Sequence, residues 1–217
     1  MSDFKLKDIN ICVIGLGYVG LPLAVEFSKY YPVLGYDLNE KRINQLKNKI
    51  DVTKEVSGKD LRMAKNLTFS FKPEHLNQSN IYIVTVPTPV DKNNVPDLNP
   101  LKRASELVAS VLERDNIVIF ESTVYPGVTE NICAPIIEKK SRLIYNKEFF
   151  CGYSPERINP GDKEHNLTSI VKVTAGSTKL IARFVDNLYK KIIKAGTFKA
   201  SSIAVAEAAK VIENTQR

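Results

Sequence analysis

Apolar runs and amphipathic stretches alternate along this chain from one end to the other. Ile11-Cys12-Val13-Ile14 is a short continuous apolar run, the pattern of a strand buried on both faces, and predicts a strand over about 9–14. Val19, Leu23, Val25 and Phe27 follow at helical spacing and predict a helix over about 18–30, ending before Pro32. Next come a strand over about 33–37 and a helix capped by Asn39 with Ile43 and Leu46 on its apolar face. Further strands are expected at about 67–71, 81–86, 116–120, 149–153, 169–174 and 196–198. Helices are expected at about 101–113, 128–139, 178–189 and 202–217, with Thr123 or Thr129 as the candidate cap of the second of these. Residues 48–66 show no clear period, although 60–64 suits a short helix.

This β-α-β-α alternation with short connections predicts an α/β fold: a doubly wound, mostly parallel sheet covered on both faces. Its two halves are expected to meet near the first strand and the strand at 81–86. No repeat, low-complexity segment or long linker interrupts it.

The turn after the first strand carries candidate chemistry. Gly15, Gly17 and Gly20 stand at G-x-G-x-x-G spacing, with Tyr18 and Val19 between the last two. In a Rossmann-like strand–turn–helix, the first glycine permits the turn, the second admits a pyrophosphate and the third lets helix and strand pack closely. The helix start then offers N–H groups and a favourable dipole to the phosphates. Asp37 ends the second strand, where an acid accepts from a ribose 2′-hydroxyl and repels a 2′-phosphate, so NAD is expected rather than NADP. Arg42, five positions on, either reaches the adenosine side or is a solvated helix residue. Thr88, in Pro87-Thr88-Pro89 after the strand at 81–86, either faces the cofactor or is a plain turn residue. Thr123 follows the strand at 116–120, and Glu156-Arg157 sit in a stiff loop bracketed by Pro155 and Pro160.

Composition narrows the class. The chain has 217 residues, room for one large α/β domain and an appendage, and 43% hydrophobic with 25% charged residues argues against disorder. Its net charge of +7 reads mostly as a solvated basic surface, and its field also suits anionic ligands such as NAD or a nucleotide sugar. The basic residues are dispersed and not interleaved with aromatics, so nucleic acid is not expected. Cys12, Cys133 and Cys151 lack metal-ligand spacing, so no metal is expected, and Cys12 and Cys151 read as buried thiols. His75 and His165 are isolated and receive no role. With no signal-peptide pattern and no membrane-length apolar run, a cytoplasmic protein without membrane association is expected.

Five stretches together resemble the UDP-glucose/GDP-mannose dehydrogenase family, the nucleotide-sugar 6-dehydrogenases. They are G-L-G-Y-V-G-L-P at 15–22, V-P-T-P at 86–89, E-S-T-V-Y-P-G at 121–127, S-P-E-R-I-N-P-G at 154–161 and A-E-A-A-K-V-I-E-N-T-Q-R at 206–217. The form P-E-R-I-N-P-G is similar to the branch acting on UDP-N-acetylglucosamine or UDP-N-acetylgalactosamine. Pro160 stands where the UDP-glucose branch usually has a second glutamate.

The resemblance implies a four-electron oxidation of the sugar C6 hydroxyl to a carboxylate with two NAD, for capsule or O-antigen polysaccharide synthesis. It also implies site roles. Gly15, Gly17, Tyr18, Val19 and Gly20 wrap the pyrophosphate, while Asp37, with Arg42 beside it, holds the adenosine ribose. Thr88 and Thr123 contact the cofactor, and Thr123 also orients water. Glu156 is a base or water-activating carboxylate, and Lys210 moves a proton and stabilises the alkoxide. Arg157, Ile158, Lys210, Asn214 and Arg217 contact the substrate.

The family's nucleophilic cysteine lies in a glycine-rich motif that this chain lacks. The expectation is therefore an NAD-binding part over 1–200 and the start of a connecting helix over 201–217. The C-terminal UDP-sugar domain would lie outside the chain, the fragment would be inactive alone, and the full-length enzyme would be a homodimer. The competing expectations are a non-catalytic NAD-binding module, a UDP-glucose or UDP-N-acetylmannosamine dehydrogenase, and a 6-phosphogluconate-type dehydrogenase.

Overall fold

The computed structural model describes residues 6, 8–93, 95–156 and 167–216, the last three of these by backbone alone. Eight strands form one sheet: β1 (Ile11–Ile14), β2 (Val33–Tyr36), β3 (Leu67–Ser70), β4 (Ile81–Val84), β5 (Asn116–Phe120), β6 (Phe149–Tyr153), β7 (Lys172–Gly176) and β8 (Thr197–Lys199). Their spatial order is β3-β2-β1-β4-β5-β6-β7-β8. The chain winds outward from β1 to β3, returns to the other side of β1 as β4, and winds outward again. All pairings are parallel except β6 with β7, where Tyr153 lies opposite Ala175. The doubly wound, mostly parallel sheet is thus as expected, with its switch point between β1 and β4.

Continuous apolar strands follow from burial on both faces. Ile11, Val13, Ile81, Ile83, Ile117 and Ile119 point to one side, where they meet α1 (Gly20–Phe27), α2 (Glu40–Lys47), α3 (Gly58–Met63) and α6 (Lys179–Lys190). Their neighbours Cys12, Ile14, Tyr82, Val84, Val118 and Phe120 point to the other, against α4 (Asn99–Ala109), α5 (Ala134–Ser141) and α7 (Ile203–Gln216). All three cysteines are free and buried.

Three local details differ from the sequence pattern. The strand expected at 169–174 starts only at Lys172, because the preceding residues form a turn whose Thr168 carbonyl accepts the Ala195 N–H. The helix expected at 128–139 opens as a π-helical turn (Thr129–Cys133) before α5. Pro135 has no N–H to continue the α-helical ladder there. Neither Thr123 nor Thr129 caps it. Glu207 of α7 instead accepts from the Gly127 and Thr129 N–H groups at 2.6 and 2.9 Å, placing a carboxylate at the positive end of the turn. A 3₁₀ turn (Pro73–Gln78) after β3 had no clear sequence signal, and in it His75 Nδ1 lies 2.8 Å from Ser70 Oγ.

Asp186 of α6 ties the antiparallel edge together. Its carboxylate accepts from Thr174 on β7 at 3.0 Å and Thr197 on β8 at 2.6 Å, and pairs with Lys190 at 2.7 Å. Burial opposes its charge, but Lys190, Thr197 and Thr174 hold the carboxyl below its ordinary range. A carboxyl lowered on folding stabilises above its unfolded pKa, about 3.9, and loses that contribution as pH falls through the lower folded value. The melting temperature of Asp186→Asn is therefore expected to fall less between pH 7 and pH 3 than that of the parent, as scanning calorimetry would measure.

Candidate functional site

A cleft of about 420 Å3 opens at the carboxyl ends of the parallel strands, at the switch point. One wall is the glycine turn, with Gly15, Gly17, Tyr18, Val19 and the tip of β2 at Asp37. The other wall comprises Thr85–Pro89 after β4, Glu121–Thr123 after β5 and Glu156 after β6. A larger groove of about 1090 Å3, bordered by Ser177, Phe198 and Val205, follows the far ends of β7 and β8 and shares none of these residues.

The turn is shaped by close approach. Gly15 adopts φ +94°, a left-handed conformation that favours glycine, and a Cβ there would press on the Thr85 backbone at 3.2 Å. A Cβ on Gly20 would overlap the Gly15 carbonyl oxygen, so α1 can pack this tightly only on glycine. Thr85 completes the join: its hydroxyl donates to the Ile14 and Gly15 carbonyls at 3.0 and 2.6 Å.

Asp37 faces the same turn. Its Oδ2 accepts the Leu16 N–H at 2.8 Å and its Oδ1 the Asn39 N–H at 2.9 Å. A carboxylate has about four lone-pair sites, so capacity remains for ribose hydroxyls. Arg42 is only 7% exposed, so it is not a solvated helix residue. Its guanidinium donates to the Leu16 carbonyl at 3.0 Å and pairs with Asp51 at 2.7 Å. Asp51 also accepts the N–H groups of Thr53, Glu55 and Val56. Burial opposes its charge, yet Thr53, Val56 and Arg42 hold its carboxyl below the ordinary range. The first part of the stretch with no sequence period, 51–56, is therefore a loop built on one carboxylate that braces the glycine turn through Arg42.

On the opposite wall, Thr88 Oγ1 is shielded from solvent and has no hydrogen-bond partner among the described residues. Space also stands open above Gly17, where a Cβ would meet nothing within 4 Å. Both observations fit a dinucleotide whose pyrophosphate and polar groups reach these points. Ser122 Oγ fastens the two loops of this wall by donating to the Val86 carbonyl at 2.6 Å. Thr123 is exposed on the cleft, and Glu156 is buried at its edge. Burial first and the Glu156 charge second raise the Tyr18 phenol.

Beneath Glu156 lies a cluster with little local sequence signature. Lys172 Nζ sits 2.7 Å from Glu121 Oε2, 3.1 Å from the Pro155 carbonyl and 3.5 Å from Glu156 Oε2. The Tyr189 hydroxyl donates to the other Glu121 oxygen. The available signal was a lysine between two valines in a strand, and a glutamate directly continuing an apolar strand.

Lys210 lies on the buried face of α7 with Ile203, Ala206 and Glu207. Arg157, Ile158 and Arg217 lie outside the described residues, as does the Asn214 side chain. None of the three cysteines lines the cleft. Burial pushes the Cys133 thiol up to about 12 and raises those of Cys12 and Cys151. No group of His, Cys, Asp or Glu among the described residues could hold a metal ion. Nor is any described helix long and apolar enough to cross a membrane.

Fold and cleft together define a Rossmann-type dinucleotide-binding domain. Residues 9–193 match the NAD-binding domain of the UDP-glucose/GDP-mannose dehydrogenase family, and the chain belongs to that family. It is 59% identical over 212 residues to a UDP-N-acetyl-D-glucosamine 6-dehydrogenase of Pseudomonas aeruginosa, matching 98% of this chain and 50% of that protein. The corresponding protein of Salmonella typhi is 56% identical over 214 residues, matching 99% of this chain and 50% of its own length. A solved structure of a UDP-D-ManNAc dehydrogenase from Pyrococcus horikoshii superposes with a TM-score of 0.87 at 33% identity, over 96% of this chain and 50% of that one. The chain spans about half the length of these relatives.

Two outcomes follow from this geometry. Asp37→Asn is expected to weaken NAD binding about tenfold, ~1.4 kcal/mol, and to narrow the preference over NADP, as titration calorimetry would register. Arg42→Ala leaves Asp51 buried without its cation, and is expected to cost roughly 3 kcal/mol in urea unfolding. Combining it with Asp51→Ala should add much less than the sum of the two.

Proposed function

We propose that this chain is the NAD-binding part of a nucleotide-sugar 6-dehydrogenase that oxidises the C6 hydroxyl of a UDP-N-acetylhexosamine to the uronic acid, a building block for surface polysaccharide such as capsule or O-antigen. The observation that carries this reading is the wall facing the glycine turn, where Thr123 and Glu156 line one cleft with Thr88. Two relatives named UDP-N-acetyl-D-glucosamine 6-dehydrogenase, at 59% and 56% identity, support the choice of sugar. NAD bound here would accept hydride from C6.

The chain's residues supply the rest. Gly15–Gly20 hold the pyrophosphate, Asp37 the adenosine ribose, and Thr88 and Thr123 the cofactor from the far side. Removing the hydroxyl proton needs a base or shuttle near C6, and Lys210 and Glu156 take those roles. A lysine beside the developing alkoxide also lowers its energy. Arg157, Ile158, Asn214 and Arg217 hold the sugar nucleotide.

The buried thiols of Cys12, Cys133 and Cys151 do not supply a nucleophile for the second oxidation. That step falls to a cysteine in a UDP-sugar domain beyond residues 1–200 and the connecting helix at 201–217, and residues 1–217 alone do not form the acid. The whole enzyme works as a cytoplasmic homodimer.

The test joins this chain to the C-terminal half of the Pseudomonas aeruginosa relative and follows NADH with UDP-N-acetylglucosamine, UDP-N-acetylgalactosamine, UDP-N-acetylmannosamine and UDP-glucose. Two NADH per UDP-N-acetylhexosamine are expected, with Lys210→Ala lowering kcat at least a hundredfold, on the order of 3 kcal/mol. NAD binding without NADH from any of the four sugars would leave a non-catalytic binding module instead.

A further inference from the structure

Lys172 is a buried lysine at the start of β7, 3% exposed, and the chemistry above makes no use of it. Its ammonium has three N–H bonds and three acceptors on two separate segments: Glu121 Oε2 after β5, and the Pro155 carbonyl and Glu156 Oε2 after β6. The Tyr189 ring lies 5.7 Å from Nζ and packs edge-on against Phe27 of α1, with centroids 5.5 Å apart. The cluster therefore sits on the sheet face that carries the glycine-turn helix. Stability alone is a poor reason to keep it, since apolar residues of similar volume often replace buried ion pairs at no cost.

We propose that Lys172 is a positioning residue of the cofactor cleft: it clamps Glu121 and Glu156 side by side on the wall opposite Asp37, where the positively charged nicotinamide of NAD would feel them. The proposal rests on the reading of Glu156 as a cleft carboxylate. Without the ammonium, two carboxylates from different loops would face each other in a buried space. With that shared cation gone, uptake of a proton by one of them relieves the repulsion. Burial opposes the Lys172 charge, but Glu121 and Glu156 outweigh it and push the ammonium up. For Glu121, burial together with the Glu156 charge raises the carboxyl in spite of Lys172 and Tyr189. The ammonium is the secure charge, because it faces two acids, and Glu121 is the group that protonates first once it is gone.

Among the described residues, other titratable groups pack around the cluster. Tyr18 shares the cleft with Glu156 from the glycine turn, and Tyr189 faces Glu121 from α6. Asp186 of α6 is engaged by Thr174, Thr197 and Lys190. From α7, Glu207 is held by the Gly127 and Thr129 N–H groups, and Lys210 is buried on the same face.

The test measures dissociation constants of NAD and NADH on the chain itself between pH 6 and pH 8.5. NADH lacks the ring charge, so the ratio of the two reports the carboxylates, while a general loss of fold would weaken both together. Wild type is expected to hold a constant ratio. In Lys172→Met, Glu121 gives up its proton as pH rises, so preference for NAD over NADH should grow about threefold or more across the range. Should Lys172→Met fail to fold, Glu121→Gln decides: Lys172 then faces one acid, and preference for NAD should drop about threefold at every pH. A Lys172→Met ratio as constant as wild type, or a Glu121→Gln ratio equal to wild type, would overturn the clamp. Failure of the UDP-sugar assay would sink the dehydrogenase reading while leaving these binding ratios intact, so the two failures are distinguishable.

Discussion

The Thr85 hydroxyl, donating to the carbonyls of Ile14 and Gly15, holds the point on which the molecule turns. There the chain leaves β1 to wind one way and returns as β4 to wind the other. A parallel doubly wound sheet must part its loops at such a place. Because β1 and β4 are neighbours, loops after both strands diverge and leave a cleft. The tight fit of Gly15 and Gly20 against Thr85 lets the glycine turn stand beside that opening. What the cleft can bind follows from this join.

Much of this was legible from sequence because local pattern and global fold agree. Uninterrupted apolar strands mean two covered faces, and helical spacing after each strand means crossovers. The glycine spacing and Asp37 located one wall, and Thr88, Thr123 and Glu156 the other, since ends of strands in such a sheet converge. Residues whose meaning depends on distant partners stayed hidden. Arg42 on its helix reads equally as an adenosine-side contact or a solvated residue, and only a carboxylate nine positions away, folded under the glycine turn, makes it a brace. Lys172 lies 51 residues from Glu121 and 16 from Glu156, distances over which no periodicity operates. Glu207 replaces the local threonine caps for the same reason. Hydrogen-bond capacity shows in a residue's identity, but its partner emerges only from the fold.

The two cleft walls are built by different means. Backbone geometry makes the glycine side, where close packing at Gly15 and Gly20 leaves no room for a Cβ and carbonyl and N–H groups do the shaping. Side-chain charge makes the other, where Glu121, Lys172 and Tyr189 lock loops that have no repeating backbone bonds of their own. Glu121 and Glu156 make that wall acidic, and none of the three buried thiols lines it.

The Glu207 carboxylate gives the domain a mechanical property. It grips two backbone N–H groups at the end of the segment carrying Thr123, while its own helix, α7, packs against β6 and β7. A stiff rod is thus bolted to the rim of the cofactor cleft. A tilt of α7 is therefore passed through Glu207 to Gly127 and Thr129, four and six residues beyond Thr123.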